Sequence, residues 1–99
     1  MNKEKLKLRT KEFAHGCVKL ALVLPNTTLG NHIRYQLIRC GTSVAANYRA
    51  ACIAQSRAAF SAKLSIVIEE ADESEFWMQF LVDENLKPKH LAEPLIAEA

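Results

Sequence analysis

A chain of 99 residues and 11.1 kDa has room for one domain around one core, near the lower size at which a fold holds without disulfides or metals. With 49% hydrophobic residues, three Gly, three Pro and abundant Ala, Leu, Glu, Lys and Arg, it favours long helices over sheets. The net charge of +2 hides a polarity: residues 1–66 carry 11 Lys and Arg against Glu4 and Glu12, and residues 67–99 carry Lys87 and Lys89 against 9 acids.

The opening "MNKEKLKLRTKEF" is basic, lacks the apolar segment of a secretion signal, and no later run approaches membrane-spanning length, so a cytoplasmic protein with a basic arm over about 1–9 is expected. From about Thr10 to Leu24 the apolar residues Phe13, Cys17, Leu20, Ala21 and Leu24 recur at helical spacing, and Pro25 ends this first helix. "PNTTLGN" then reads as a turn and cap rather than as a glycosylation acceptor. A second helix follows the rhythm Ile33, Leu37, Cys40, Val44, Asn47, Tyr48, Ala51 as far as about Ala54. After "CIAQSRA" a third repeats it in Phe60, Leu64, Val67, Ala71, Ser74, Met78 and Leu81. Each would span about 25 residues, or about 40 Å at ~1.5 Å per residue. "DENLKPKH" makes a third connection. Because Pro94 is tolerated in a first helical turn, helix four is expected to begin near Leu91, bury Leu95 and Ile96, and reach Ala99 after about two turns. The short connections predict an all-α, up-down antiparallel four-helix bundle, with residues 1–99 as its single domain.

Little in the sequence points to chemistry. Cys17, Cys40 and Cys52 have no C-x-x-C spacing and fall in apolar segments, which suits small buried hydrophobes in a reducing compartment. His15, His32 and His90 lie on separate segments, and the acidic run "EEADESE" lacks the Glu-x-x-His pairs of a metal-binding bundle. No P-loop, Gly-rich dinucleotide fingerprint or G-x-S-x-G motif occurs. The expectation is a protein without enzymatic activity, metal, cofactor or small-molecule substrate.

The polar residues beside the core are more informative. Gln36, Arg39, Ser43 and Asn47 align along one edge of helix two, and Lys63, Glu70, Glu73 and Trp77 along an edge of helix three. A hairpin pivoting near Gln55 brings Arg39 level with Glu70 to Glu73, so a charge-assisted pair is expected on a seam that sets helix register. Phe76 and Phe80 fall nearly opposite the core stripe, with Trp77 between the two faces, which favours a subunit interface over packing beneath helix four or a loop. Gly41 and Ala45 form a small-residue patch where another helix can approach closely.

"SVAAN" on helix two followed by "FSAKLSIVIEEADESEFW" on helix three resembles the small bacterial four-helix-bundle proteins named for reading frames inside intervening sequences of 23S ribosomal RNA genes, the S23 ribosomal protein family. The resemblance covers about Phe13 to Leu95 and rests on Gln36-Leu37 with Arg39, Ser43 and Asn47, then Phe60, Lys63-Leu64, Glu70-Ala71, Glu73 and Trp77. It implies a ring-shaped homopentamer with no established enzymatic activity. It also implies a longer fourth helix than the one reaching Ala99, so one groove is expected to be poorly covered. The accessory protein of diversity-generating retroelements is similar but more basic, and binds nucleic acid and a reverse transcriptase.

Antiparallel packing places Lys3, Lys5, Lys7, Arg9 and Lys11 at the bundle end where Arg49, Arg57 and Lys63 flank the second turn, with the acids from Glu69 to Glu84 towards the other end. Two functional readings follow. One is an oligomeric scaffold whose basic rim takes an RNA or DNA backbone, or which engages a nucleic-acid-processing protein. The other is a structural or protein-interaction oligomer, the basic residues then being ordinary surface cations.

Overall fold

A computed structural model describes residues 2–86 and 89–98, the side chains of 89–93 excepted. Four helices follow in order: α1 (Lys3–Leu22), α2 (Thr28–Cys52), α3 (Arg57–Asp83) and α4 (Lys89–Glu98). The described residues contain no strand.

Local chemistry sets most boundaries. The side chains of Asn2, Thr27 and Ser56 accept hydrogen bonds from the amides of Lys5 (2.8 Å), Gly30 (2.9 Å) and Ala59 (3.1 Å), each satisfying an orphan donor of a first turn. The cap at Asn2 corrects the expectation of an arm over about 1–9: residues 3–9 are the first turns of α1, because a capping residue outweighs the lack of a wide apolar stripe there, and Met1 lies outside the described residues. At the end of α3, Asn85 takes a left-handed φ of 56°, and the amides of Asn85 and Leu86 return to the carbonyls of Val82 (3.0 Å) and Leu81 (2.9 Å). This is a Schellman ending, with Asn in the place Gly most often fills. Helix four starts two residues earlier than expected, so Pro94 lies in its second turn, and Lys87 and Pro88 of the expected connection lie outside the described residues.

The helices pack cyclically, α1 on α2, α2 on α3, α3 on α4 and α4 back on α1, in a body 44 Å long. Cys17, Ile33, Leu37, Cys40, Met78 and Leu81 are fully enclosed, and the side chains of Leu95 and Ile96 pack half-buried against this layer. The small-residue patch on α2 is used within the chain. Gly41 is buried against α1 so closely that a Cβ there would lie 2.6 Å from Cys17 Cβ. It is therefore a close helix crossing within one subunit, whereas Ala45 lies in an outer groove described below.

The apolar rhythm of α3 is buried only in its second half. Ser74, Met78 and Leu81 are enclosed, while Phe60, Leu64 and Val67 are half-exposed, because the described part of α4 ends level with the middle of α3. A groove of about 220 Å³ runs between α1 and α3, lined by Leu6, Phe13, Val44, Val67 and Ala71 with Arg9 and Glu98.

Candidate functional site

The expected seam between α2 and α3 forms around Arg39. Its guanidinium contacts Glu70 at 3.1 Å and also bonds Glu73, while its Nε donates to Gln36 Oε1 at 3.1 Å. Trp77 Nε1 donates to the same Glu73 carboxylate at 3.1 Å. These bonds, those from Arg39 foremost, hold the Glu73 carboxyl below its usual range, and the Glu73 hydrogen bond raises the Arg39 pKa in turn. Ser43 and Asn47 lie on the same edge but do not bridge the helices. Asn47 Nδ2 donates to Ser43 Oγ at 2.8 Å and to its carbonyl at 3.0 Å, so the pair is satisfied one turn apart within α2. Lys63 stays exposed beyond the seam.

Two polar contacts escape the sequence reading. The enclosed Ser74 hydroxyl is shared between the Glu70 carbonyl at 2.8 Å and Cys40 Sγ at 3.2 Å. Arg34 reaches from α2 to the end of α1, donating to the carbonyls of Ala21 (3.1 Å) and Leu24 and to Asn31 Oδ1. It sits at the negative end of α1 and binds the Leu24 carbonyl beyond the helix, adding a bond to the Ala21 carbonyl, which also accepts from the Leu24 amide at 3.2 Å.

The two enclosed thiols are not activated as nucleophiles. Burial pushes the Cys17 thiol up to about 12, helped by the neighbouring Cys40, and burial also raises Cys40. Among the described residues no group of three His, Cys, Asp or Glu converges as a metal site requires. Among the described residues no helix is long and apolar enough to cross a membrane.

Phe76, Trp77 and Phe80 form one aromatic cluster, with ring centroids 5.0 to 6.0 Å apart, and His32 of α2 meets Trp77 edge-on at 5.3 Å. Trp77 and Phe80 pack against the core, whereas Phe76 is 53% exposed. Only Phe76 of the three is thus left largely to solvent.

The basic residues divide by helical face. Arg9 turns to Glu98 of α4 at 2.9 Å, and Lys7 meets Glu4 at 3.5 Å. Lys7, Lys11 and Arg49 rim an open groove of about 450 Å³ between α1 and α2, floored by Leu8, Ala14, Thr42, Ala45 and Ala46. Lys3, Lys5 and Arg57 are exposed at the end of the bundle nearest the α2–α3 turn, with Lys63 two turns along α3. The other end is less acidic than the sequence implies, since α1 and α2 bring Lys19 and Arg34 there.

The described chain is thus an antiparallel helical bundle in which Arg39, Glu70 and Glu73 tie α2 to α3. Residues 4–99 match the family model described as 23S rRNA-intervening sequence protein. The crystal structure of a protein of unknown function from the S23 ribosomal protein family of Bacteroides thetaiotaomicron superposes with a TM-score of 0.89 at 35% identity, covering 99% of this chain and 88% of that one. The chain belongs to the 23S rRNA-intervening sequence protein family. A search of the curated proteins finds no match.

Proposed function

We propose that this chain is a non-catalytic scaffold that assembles with copies of itself, as a pentamer, and uses one basic end to hold a nucleic-acid backbone or a nucleic-acid-processing protein. The observation that carries this reading is the exposed group Lys3, Lys5, Arg57 and Lys63, contributed by two helices towards a single end of a rod. Charges placed this way attract phosphates by counterion release without reading bases. In a ring of subunits pointing the same way they would repeat around one rim. The polar cluster supports a structural role, because Arg39, Glu70, Glu73, Gln36 and Trp77 are engaged with one another.

Fluorescence anisotropy with structured RNA and duplex DNA across a salt series tests the proposal. Binding should weaken steeply with salt. Lys5→Glu with Arg57→Glu should lower affinity and reduce the slope of log K against log salt by about 2 on duplex DNA, at ~0.9 per lost phosphate contact. Absence of binding at low salt would refute the nucleic-acid role and favour a scaffold for protein partners alone.

A further inference from the structure

The molecule carries two outer surfaces most of whose charges have no ion-pair partner among the described residues. The first is the α1–α2 groove, where Lys11 and Arg49 make no ion pair, Lys7 has only the exposed Glu4, and Leu8 stands 59% exposed. The second is the outer face of α3. There Glu69, Asp72 and Glu75 make no ion pair, and Ile68 and Phe76 are 65% and 53% exposed. No Lys or Arg occurs from Leu64 to Leu86, so this face is acidic throughout.

We infer that the α1–α2 groove seats the outer face of α3 from a second copy of this chain. Charge decides the orientation of the match: a basic rim with Glu4 as its lone acid receives a helix face whose charged residues are all acids. The apolar parts agree, since Ile68, Asp72 and Phe76 succeed one another at single-turn intervals, and the groove offers small side chains, Ala45, Ala46 and Thr42, for such a ridge to enter. Seating there would also cover Leu8, Ile68 and Phe76, which otherwise stay in water.

Because groove and ridge are different patches of the same chain, the contact is heterologous, and repetition around an axis closes a ring rather than a two-fold dimer. The inference rests on the self-assembly proposed above and specifies which faces meet. It also divides the cations: Lys7, Lys11 and Arg49 serve the subunit contact, which leaves Lys3, Lys5, Arg57 and Lys63 for an outside partner.

Light scattering on the purified chain, with circular dichroism to confirm folding, tests the assignment. Lys7→Glu with Lys11→Glu, and separately Glu69→Lys with Asp72→Lys, should each reduce the assembly to single chains while the bundle stays helical. A chain carrying all four substitutions should recover the wild-type mass, whereas an equimolar mixture of the two variants should reassemble only by strict alternation, into even-numbered rings or open chains rather than a five-membered ring. If the wild type assembles and neither pair alters its mass, or if the fourfold variant is not restored, the assignment of faces is overturned while self-assembly stands. A single-chain mass for the wild type at high concentration removes both. Unchanged mass with lost duplex DNA binding in the Lys7→Glu, Lys11→Glu variant would instead give the groove to nucleic acid.

Discussion

Substituting Gly41 by Ala opposes two effects of known size. In a helix interior the change is favourable by about 1 kcal/mol, because Ala loses less backbone entropy and covers backbone from water. At this position, however, the added Cβ would stand 2.6 Å from Cys17 Cβ and 2.8 Å from Cys17 Sγ. Carbon atoms in contact prefer about 3.5–4.0 Å, so α1 and α2 would have to separate by roughly 1 Å at their closest approach. The nearest atom is a Cβ fixed to the backbone, which no rotamer change can withdraw, so the strain belongs near the upper part of the ~1–3 kcal/mol seen for overpacking. Packing should win, leaving Gly41→Ala about 2 kcal/mol less stable in urea titration and lowering its Tm by roughly 10 °C. Cys17→Ala should not rescue it, whereas Cys17→Gly should remove the clash, so that in a double-mutant cycle only the pair Gly41→Ala, Cys17→Gly shows strong favourable coupling. A Gly41→Ala variant as stable as the wild type would refute the reasoning.

Arg39→Ala and Glu70→Ala should be non-additive in thermal melts by about 0.5–1 kcal/mol, a modest coupling because the guanidinium is 37% exposed. Full additivity would mean that the seam does not join the helices energetically. Arg34→Met should cost about 1–3 kcal/mol, since it keeps the apolar stem but removes the guanidinium from the Leu24 carbonyl, while the Ala21 carbonyl keeps the Leu24 amide; a neutral result would show that water replaces the guanidinium there. Cys52, half-buried, should react with a thiol reagent while Cys17 and Cys40 stay protected until unfolding; mass spectrometry of the modified native protein checks the order. Because the folded state keeps Cys17 protonated to about 12 whereas an ordinary thiol ionises near 9.0, the unfolded chain binds fewer protons between those values. Stability should accordingly be complete below pH 9 and fall as pH rises towards 12, which Cys17→Ser should blunt in denaturant titrations. For Glu73 the sign is reversed: its contribution is present above the ordinary carboxyl value of 4.5 and is lost in acid.

The seam was legible because two simple facts fix it. Helical period assigns Gln36, Arg39, Glu70 and Glu73 to facing edges, and the short second turn sets Arg39 level with the two acids. The same logic failed for Asn47, which shares the edge but finds Ser43 one turn away before reaching α3; short polar side chains bond locally when they can. Arg34 was illegible because its partners are backbone carbonyls of another helix, and carbonyls leave no trace in residue type. The Gly41 patch was legible as a place where another helix approaches closely, but not which helix, since a wheel shows which face is small and not what lies against it. Asn2 carried a cap signal that the highly charged following turns obscured.

The partial cover that α4 gives to α3 makes the bundle unequal in its resistance to opening. Cys17, Ile33, Leu37, Cys40, Met78 and Leu81 are fully enclosed contributions of the first three helices, while α4 adds the half-buried Leu95 and Ile96, with Leu95 laid over Gly16. Pro94 supplies no amide to its own helix, and Arg9 with Glu98 is a partly exposed ion pair. Helix four is therefore expected to open at a lower free-energy cost than the three-helix layer. In native-state hydrogen exchange the amides of α4 should lose protection first and together, with those around Leu37 and Met78 last, so that the bundle behaves as a durable three-helix body carrying a detachable fourth.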